Sequence, residues 1–222
     1  MSQPYHLQPD LSEKQLQAWL ALPEIAIDTE LHGLRLGRDQ VLLVQVGDHL
    51  GNVALVRTAG LHDCPPRLRI LLESREVLKL FHFAISDLAF LRQSLGVRVA
   101  PFFCTRTASR LVRTYTQSHG LKDLVREFLG VELDKQAQQT DWSRQDLTPQ
   151  QLKYAANDVV HLVALYRCLV KMLDSRPTLP NGFNAREIAQ RSMEALEIHV
   201  ELMLAGYGAG PDGWRIDLFE HS

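Results

Sequence analysis

A chain of 222 residues that is 45% hydrophobic and 23% charged has the composition of an ordinary globular protein and length enough for one well-filled domain. Its formal net charge of −2 argues against a broad basic surface that tracks long nucleic acid, which usually lifts a small domain's pI above about 9. Any nucleic-acid substrate is therefore expected to be gripped locally. The three cysteines, Cys64, Cys104 and Cys168, sit among apolar neighbours with no metal-type spacing, which indicates neither a disulfide framework nor a zinc site and suits small buried hydrophobes in a reducing compartment. "MSQPYHLQPDL" has neither the basic start nor the apolar stretch of a signal peptide. With no apolar run near the roughly 18 residues that span a bilayer, a cytoplasmic protein without a membrane partner is expected.

In chain order, residues 1–20 form an N-terminal segment. Strands are predicted at "EIAIDT", "VLLVQVG", "NVALV" and "VLKLFHF", the early ones bounded by Gly, Asn and Asp turn signals. From residue 84 the apolar period becomes helical: "ISDLAFLRQSL" places Ile85, Leu88, Leu91 and Leu95 on one face, and "LKDLVREFLG" ends on a C-cap glycine. "GVELDKQAQQTDWSRQDL" is polar and without period, hence a loop. Thr148, Pro149 and Gln151 then supply an N-cap, a preset first turn and a capping-box partner for one long helix through "QLKYAANDVVHLVALYRCLVKML". After "SRPTLPNG" comes a last helix over about residues 184–205, followed by a Gly-rich turn and an apolar tail. Strands first and helices after predict an α/β fold, a mixed sheet flanked by helices in one domain.

Two carboxylates close the first strand. Asp28 and Glu30 are two residues apart, so they share a face and repel each other, while Thr29 points the other way. Hard oxygen ligands side by side suit Mg²⁺ or Mn²⁺; the same pattern also suits a strand running out into solvent. Asp87 lies on the opening turn of a helix, where an acid is favourable in any case. Tyr154 and Asp158, four apart, stack on one helix face, and Asp158 interrupts the apolar "AANDVVHLVALY". A buried carboxylate there would be costly without a partner, although it could also sit at the edge of the stripe. Arg106, Arg110 and Arg113 recur at helical spacing as a basic stripe, either a solvated face or a phosphate or subunit contact.

The order "IDTE", "HFAISD", "YAAND" resembles the three exonuclease motifs of the DEDD superfamily, in the ribonuclease D-like branch whose third motif is Y-x-x-x-D. "CTRTASRLVRTYTQSHGLKDL", "LDKQAQQTDW" and the ending "IDLFEHS" are similar to the short bacterial nano-ribonucleases of that branch, which cleave dinucleotides. The likeness covers roughly residues 20–174 and the tail, with "YGAGPDG" lengthening the approach to the tail.

The resemblance implies a ribonuclease H-like exonuclease domain over residues 21–174, with residues 175–222 packed on it or on a neighbouring subunit. It implies Asp28, Glu30, Asp87, Tyr154 and Asp158 as catalytic residues, the four acids holding two divalent cations, Mg²⁺ or Mn²⁺. Tyr154, a poor base at its usual pKa of about 10, is expected to orient the attacking water. Leu34 is implied as a wedge between the last two bases; without the resemblance it equally suits packing under the loop that Gly33 opens. Thr29, His82 and His119 complete the expected substrate site, each histidine equally suiting a structural role. A short-RNA substrate and a closed homo-oligomer, an octamer, with Trp214, Ile216, Leu218 and Phe219 as interface anchors, are also implied. A broader exonuclease and a non-catalytic nucleotide-binding protein are the alternatives.

Overall fold

Strand β2 (Glu24–Leu31) is the hinge of the architecture, pairing antiparallel with β3 (Val41–Gly47) on one side and parallel with β5 (Leu78–Phe81) on the other. With β1 (Leu7–Gln8), β4 (Val53–Arg57) and β6 (Phe102–Cys104), they form a six-stranded mixed sheet in the order β1-β4-β3-β2-β5-β6. The helices are α1 (Glu13–Leu20), α2 (Pro66–Glu73), α3 (Ala84–Leu95), α4 (Thr105–Val112), α5 (Leu121–Leu129), α6 (Pro149–Val160), α7 (Leu162–Ser175) and α8 (Ala185–Leu202). The computed structural model describes residues 5–133, 140–176, 178, 182–209 and 215–216. Beyond α8, a π-helical turn (Met203–Tyr207) leads to a small ribbon of β7 (Gly208–Ala209) with β8 (Arg215–Ile216). Trp214, Leu218, Phe219 and the side chain of Ile216 lie outside the described residues.

The period-2 pattern of β2 feeds two cores. Ile25 and Ile27 enter a cluster with Trp19 of α1, Leu68, Leu71 and Leu72 of α2, and the buried face of α3. Ala26, between them, faces the opposite layer, where Val159 of α6, Leu162 to Leu173 of α7, Val112 and Leu124 gather. Each strand of this kind is buried on both faces, which is why β3 reads as a continuous apolar run. The N-terminal residues join this body: β1 pairs with β4, and Trp19 donates from Nε1 to Asp48 Oδ2 at 3.0 Å.

Local sequence signals explain most helix ends. Thr148 and Gln151 form the expected capping box, Ser12 with Gln15 and Asn184 with Glu187 form two more, and Gly130 ends α5 in the left-handed conformation. One expectation fails: the long helix is two, breaking at His161. The halves pack differently, α6 lying on β2, β3 and β4 while α7 touches β2 and β5 but packs chiefly against α4, α5 and α8. Since the apolar period runs straight through the junction, sequence offered no sign of it. The first third also holds α1 and α2 among its strands, and the last helix stays α-helical only to Leu202.

Candidate active site

Pairing of β2 with β5 covers Glu24–Ala26, whereas pairing with β3 continues to Leu31. Asp28 and Glu30 therefore stand beyond the end of β5, at the carboxyl ends of two parallel strands where open α/β sheets bind ligands. Helix α6 closes onto the same face, helped by Gly47: a Cβ there would lie 2.9 Å from Val159 Cγ2. That approach brings Asp158, the neighbour of Val159, to the strand. Asp28, Glu30 and Asp158 each offer an oxygen within 4.8 Å of the others, the spacing of ligands around one ion.

Asp87 arrives from the other layer. It sits in the first turn of α3, and Thr29, facing away from Asp28 and Glu30, donates from Oγ1 to Asp87 Oδ1 at 2.7 Å. The alternation that separates Thr29 from the acids thus ties the fourth acid to them. Asp28, Glu30 and Asp87 are strongly perturbed. Burial, then the charges of Asp87, Asp158 and Glu30, push the Asp28 carboxyl well up; burial, then Asp158 and Asp87, do the same for Glu30. Burial pushes Asp87 up to about 7, the Thr29 bond opposing it. Carboxylates packed this way are costly unless protonated or holding a cation, so the donor set fits divalent metal ions.

Asp28, Glu30 and Asp158 line a cleft of about 370 Å³ together with Thr29, His82, Phe83, Arg106, Lys122 and Tyr154, and Asp87 is tied to it through Thr29. A larger hollow, about 590 Å³ between α1 and the β4 edge, is lined by Lys14, Trp19 and Asp48 but holds no such cluster, so charge rather than size marks the site. The Tyr154 hydroxyl is hydrogen-bonded to Asp158, and burial, then the charges of Asp158 and Glu30, raise its pKa far above the usual value. Tyr154 therefore remains a donor. His82 donates from Nδ1 to Thr105 Oγ1 at 3.0 Å, because the threonine proton is committed to the Phe81 carbonyl, also at 3.0 Å.

Two expected substrate-site residues, His119 and Leu34, do not line the cleft, and the basic stripe is divided. His119 does not line the cleft; its Nδ1 is hydrogen-bonded with Ser109 Oγ at 2.9 Å in a buried cluster around Arg113, where burial and then the guanidinium lower its pKa. Arg113 itself is buried and ion-paired with Glu127, so the basic stripe does not exist as a face; Arg106 lines the cleft and Arg110 is exposed. Leu34 is exposed, 47% of its surface, on the loop beyond β2 but not among the cleft-lining residues. Buried Asp39 holds this loop, accepting from the Arg35 amide and the Arg38 guanidinium, which keep its carboxyl at about 2. Gly33 is required there, since any Cβ would collide with the Asp39 carboxylate.

Sequence reasoning missed Phe83, Lys122 and Gln45. Gln45 lies in register with Asp28 on β3, is fully buried and donates from Nε2 to Glu30 Oε1 at 3.4 Å. A lone amide inside "VLLVQVG" was its signal. Phe83 had none, being one apolar residue in an apolar run.

The sequence model of the 3′-5′ exonuclease family matches residues 6–174. Ribonuclease D of Zymomonas mobilis is 34% identical over 149 residues, 67% of this chain and 38% of its own length. Ribonuclease D of Pseudomonas paraeruginosa is 33% identical over 210 residues, 91% of this chain and 52% of its own. The chain thus spans about half or less of these curated relatives. Brucella melitensis NrnC is matched end to end. It superimposes with a TM-score of 0.83 at 35% identity, covering 97% of this chain and 98% of that one. Its Mg²⁺-bound form gives 0.80, 32%, 98% and 97%, and its pGG-bound form 0.81, 34%, 97% and 96%. The sheet and flanking helices are those of the ribonuclease H-like exonucleases, and divalent cations are the cofactor. Agreement in sequence, in fold and in chain length with NrnC makes the chain a member of the 3′-5′ exonuclease family, an NrnC-like one within its ribonuclease D branch.

Proposed function

We propose that this exonuclease hydrolyses very short RNA, chiefly 5′-phosphorylated dinucleotides, to 5′-mononucleotides by a two-metal mechanism. The observation that carries the reading is the acidic cleft of Asp28, Glu30 and Asp158, with Asp87 tied to it through Thr29, in a fold that superimposes over 97% of this chain on a relative solved with pGG bound. Asp28, Glu30 and Asp158 would hold one Mg²⁺ or Mn²⁺, and Asp87, with Asp28, would hold the other. When bound, such ions lower the pKa of the attacking water and offset charge on the leaving 3′-oxygen. Thr29 keeps Asp87 turned toward the strand. Tyr154, protonated throughout and tied to Asp158, orients the attacking water by donating to or accepting from it and does not serve as the base. His82, its tautomer set by Thr105, faces the same cleft and contacts the substrate. Leu34, exposed on the loop that Asp39 anchors, wedges between the bases.

Initial rates on 5′-phosphorylated RNA of two, three, seven and twenty nucleotides, with Mg²⁺ or Mn²⁺, test this. A steep preference for the dimer is expected, and Leu34→Ala should lower turnover of the dimer by about 1 to 3 kcal/mol, the usual worth of a base stack. Similar rates at all lengths would replace the reading with a general ribonuclease D-like exonuclease. A homo-octamer belongs to the same proposal, and a monomer by light scattering would remove it.

A further inference from the structure

Phe83 stands between β5 and α3 at φ 67° and ψ 46°, the one non-glycine residue with positive φ among the described residues. Left-handed backbone is taken at lower cost by Gly or Asn, so the turn itself gives no reason for an aromatic residue. Packing uses only part of the ring: 39% of Phe83 is exposed, unlike the buried Phe81 and Phe90. The ring instead lines the acidic cleft beside His82, with Asp28, Glu30 and Asp158 on the same walls. The Arg106 guanidinium lies 4.6 Å from the ring centroid, a cation–π contact that fixes its attitude. Strained backbone retained at a cleft, presenting an exposed ring toward it, calls for a functional explanation.

We propose that the Phe83 ring is a stacking platform for one nucleobase of the substrate, with Arg106 holding the ring in place. This rests on the nuclease reading above and adds the residue that receives a base. Stacking on a phenyl face tolerates any base, so the platform contributes affinity without sequence preference. It also adds grip in a protein of net charge −2: apolar area at the cleft supplements the few cations there, Arg106 and Lys122.

The test measures kcat/KM for wild type, Phe83→Leu, Phe83→Tyr and Phe83→Gly on an intact 5′-phosphorylated dinucleotide and on two analogues, each lacking one base. On the intact dimer Phe83→Leu and Phe83→Gly should fall about tenfold, chiefly through KM, and Phe83→Tyr should stay near wild type. On one of the abasic dimers wild type and Phe83→Leu should converge, which identifies the stacked base. Phe83→Gly should melt no lower than wild type, since glycine relieves the backbone strain. Equal losses on all three dimers, or no loss on the intact one, would overturn the proposal, as would a lowered melting temperature accompanied by equal losses. If wild type fails on dimers but trims long RNA, the short-substrate reading falls separately. The same comparison is then made on a twenty-nucleotide RNA with and without its terminal bases.

Discussion

Two buried polar clusters in this chain solve opposite problems. Around Arg113 the charges balance: the guanidinium, 1% exposed, pairs with Glu127 and donates to Ser109 Oγ at 3.1 Å, while Tyr115 donates to Glu127 Oε1 at 2.6 Å. The hydrogen bonds from Arg113 and Tyr115 hold the Glu127 carboxyl below its usual range. At the cleft, Asp28, Glu30 and Asp158 gather with Asp87 close behind Thr29, and the carboxyls of Asp28, Glu30 and Asp87 are pushed up instead. A balanced cluster stabilises the fold. An unbalanced one destabilises it until cations arrive, and the fold retains it because chemistry needs it there.

The sharpest way to break this contrast is Asp28→Asn. Turnover should fall by roughly a thousandfold or more, about 4 kcal/mol of lost transition-state stabilisation, while the melting temperature in chelator stays level or rises. Activity within about tenfold of wild type would show that the acids are ornamental to the reaction.

Arg113→Met should do the reverse. Urea denaturation should show a loss of about 3 kcal/mol, the low end for a broken buried pair because Glu127 keeps some water, and the folded protein should still turn over substrate. An unchanged urea midpoint would mean that the balanced cluster holds nothing together.

Next in size is the pH dependence without metal. Asp87 is raised to about 7 from an unfolded value of 3.8, so between those values the folded state binds the extra proton. Stability is fullest below the lower value and falls as pH rises through the upper. Asp28 and Glu30, also raised, act in the same direction. Melting in chelator should therefore come earlier at pH 8 than at pH 5. Mg²⁺ should offset the loss, by about 2.7 kcal/mol at a hundredfold excess over Kd. Melting that comes later at pH 8 in chelator would place the cleft with the balanced cluster.

The smallest effect belongs to His119→Asn, which should change the kinetics on dinucleotides little, since His119 is hydrogen-bonded with Ser109 inside the balanced cluster. A large fall in kcat with the melting temperature unchanged would return His119 to the substrate site.

What was legible from sequence is what local chemistry dictates. The strand around Asp28, the capping box at Thr148 and the C-cap at Gly130 all follow from side-chain period, hydrogen-bond capacity and conformational freedom within a few residues. The same-face pairs Asp28 with Glu30 and Tyr154 with Asp158 follow likewise from the periods of strand and helix. Tertiary structure alone decided which of these pairs meet. It split the helix at His161, set α6 on Gly47, carried Asp87 to Thr29 across fifty-eight residues of chain, and buried Arg113 and His119 away from the cleft. Arg106 and Arg113 show why: at one helical spacing, the first reaches the cleft and the second an ion pair. Their fates depend on what α5 and β5 bring alongside, because burial and charge act through space between elements that sequence leaves far apart.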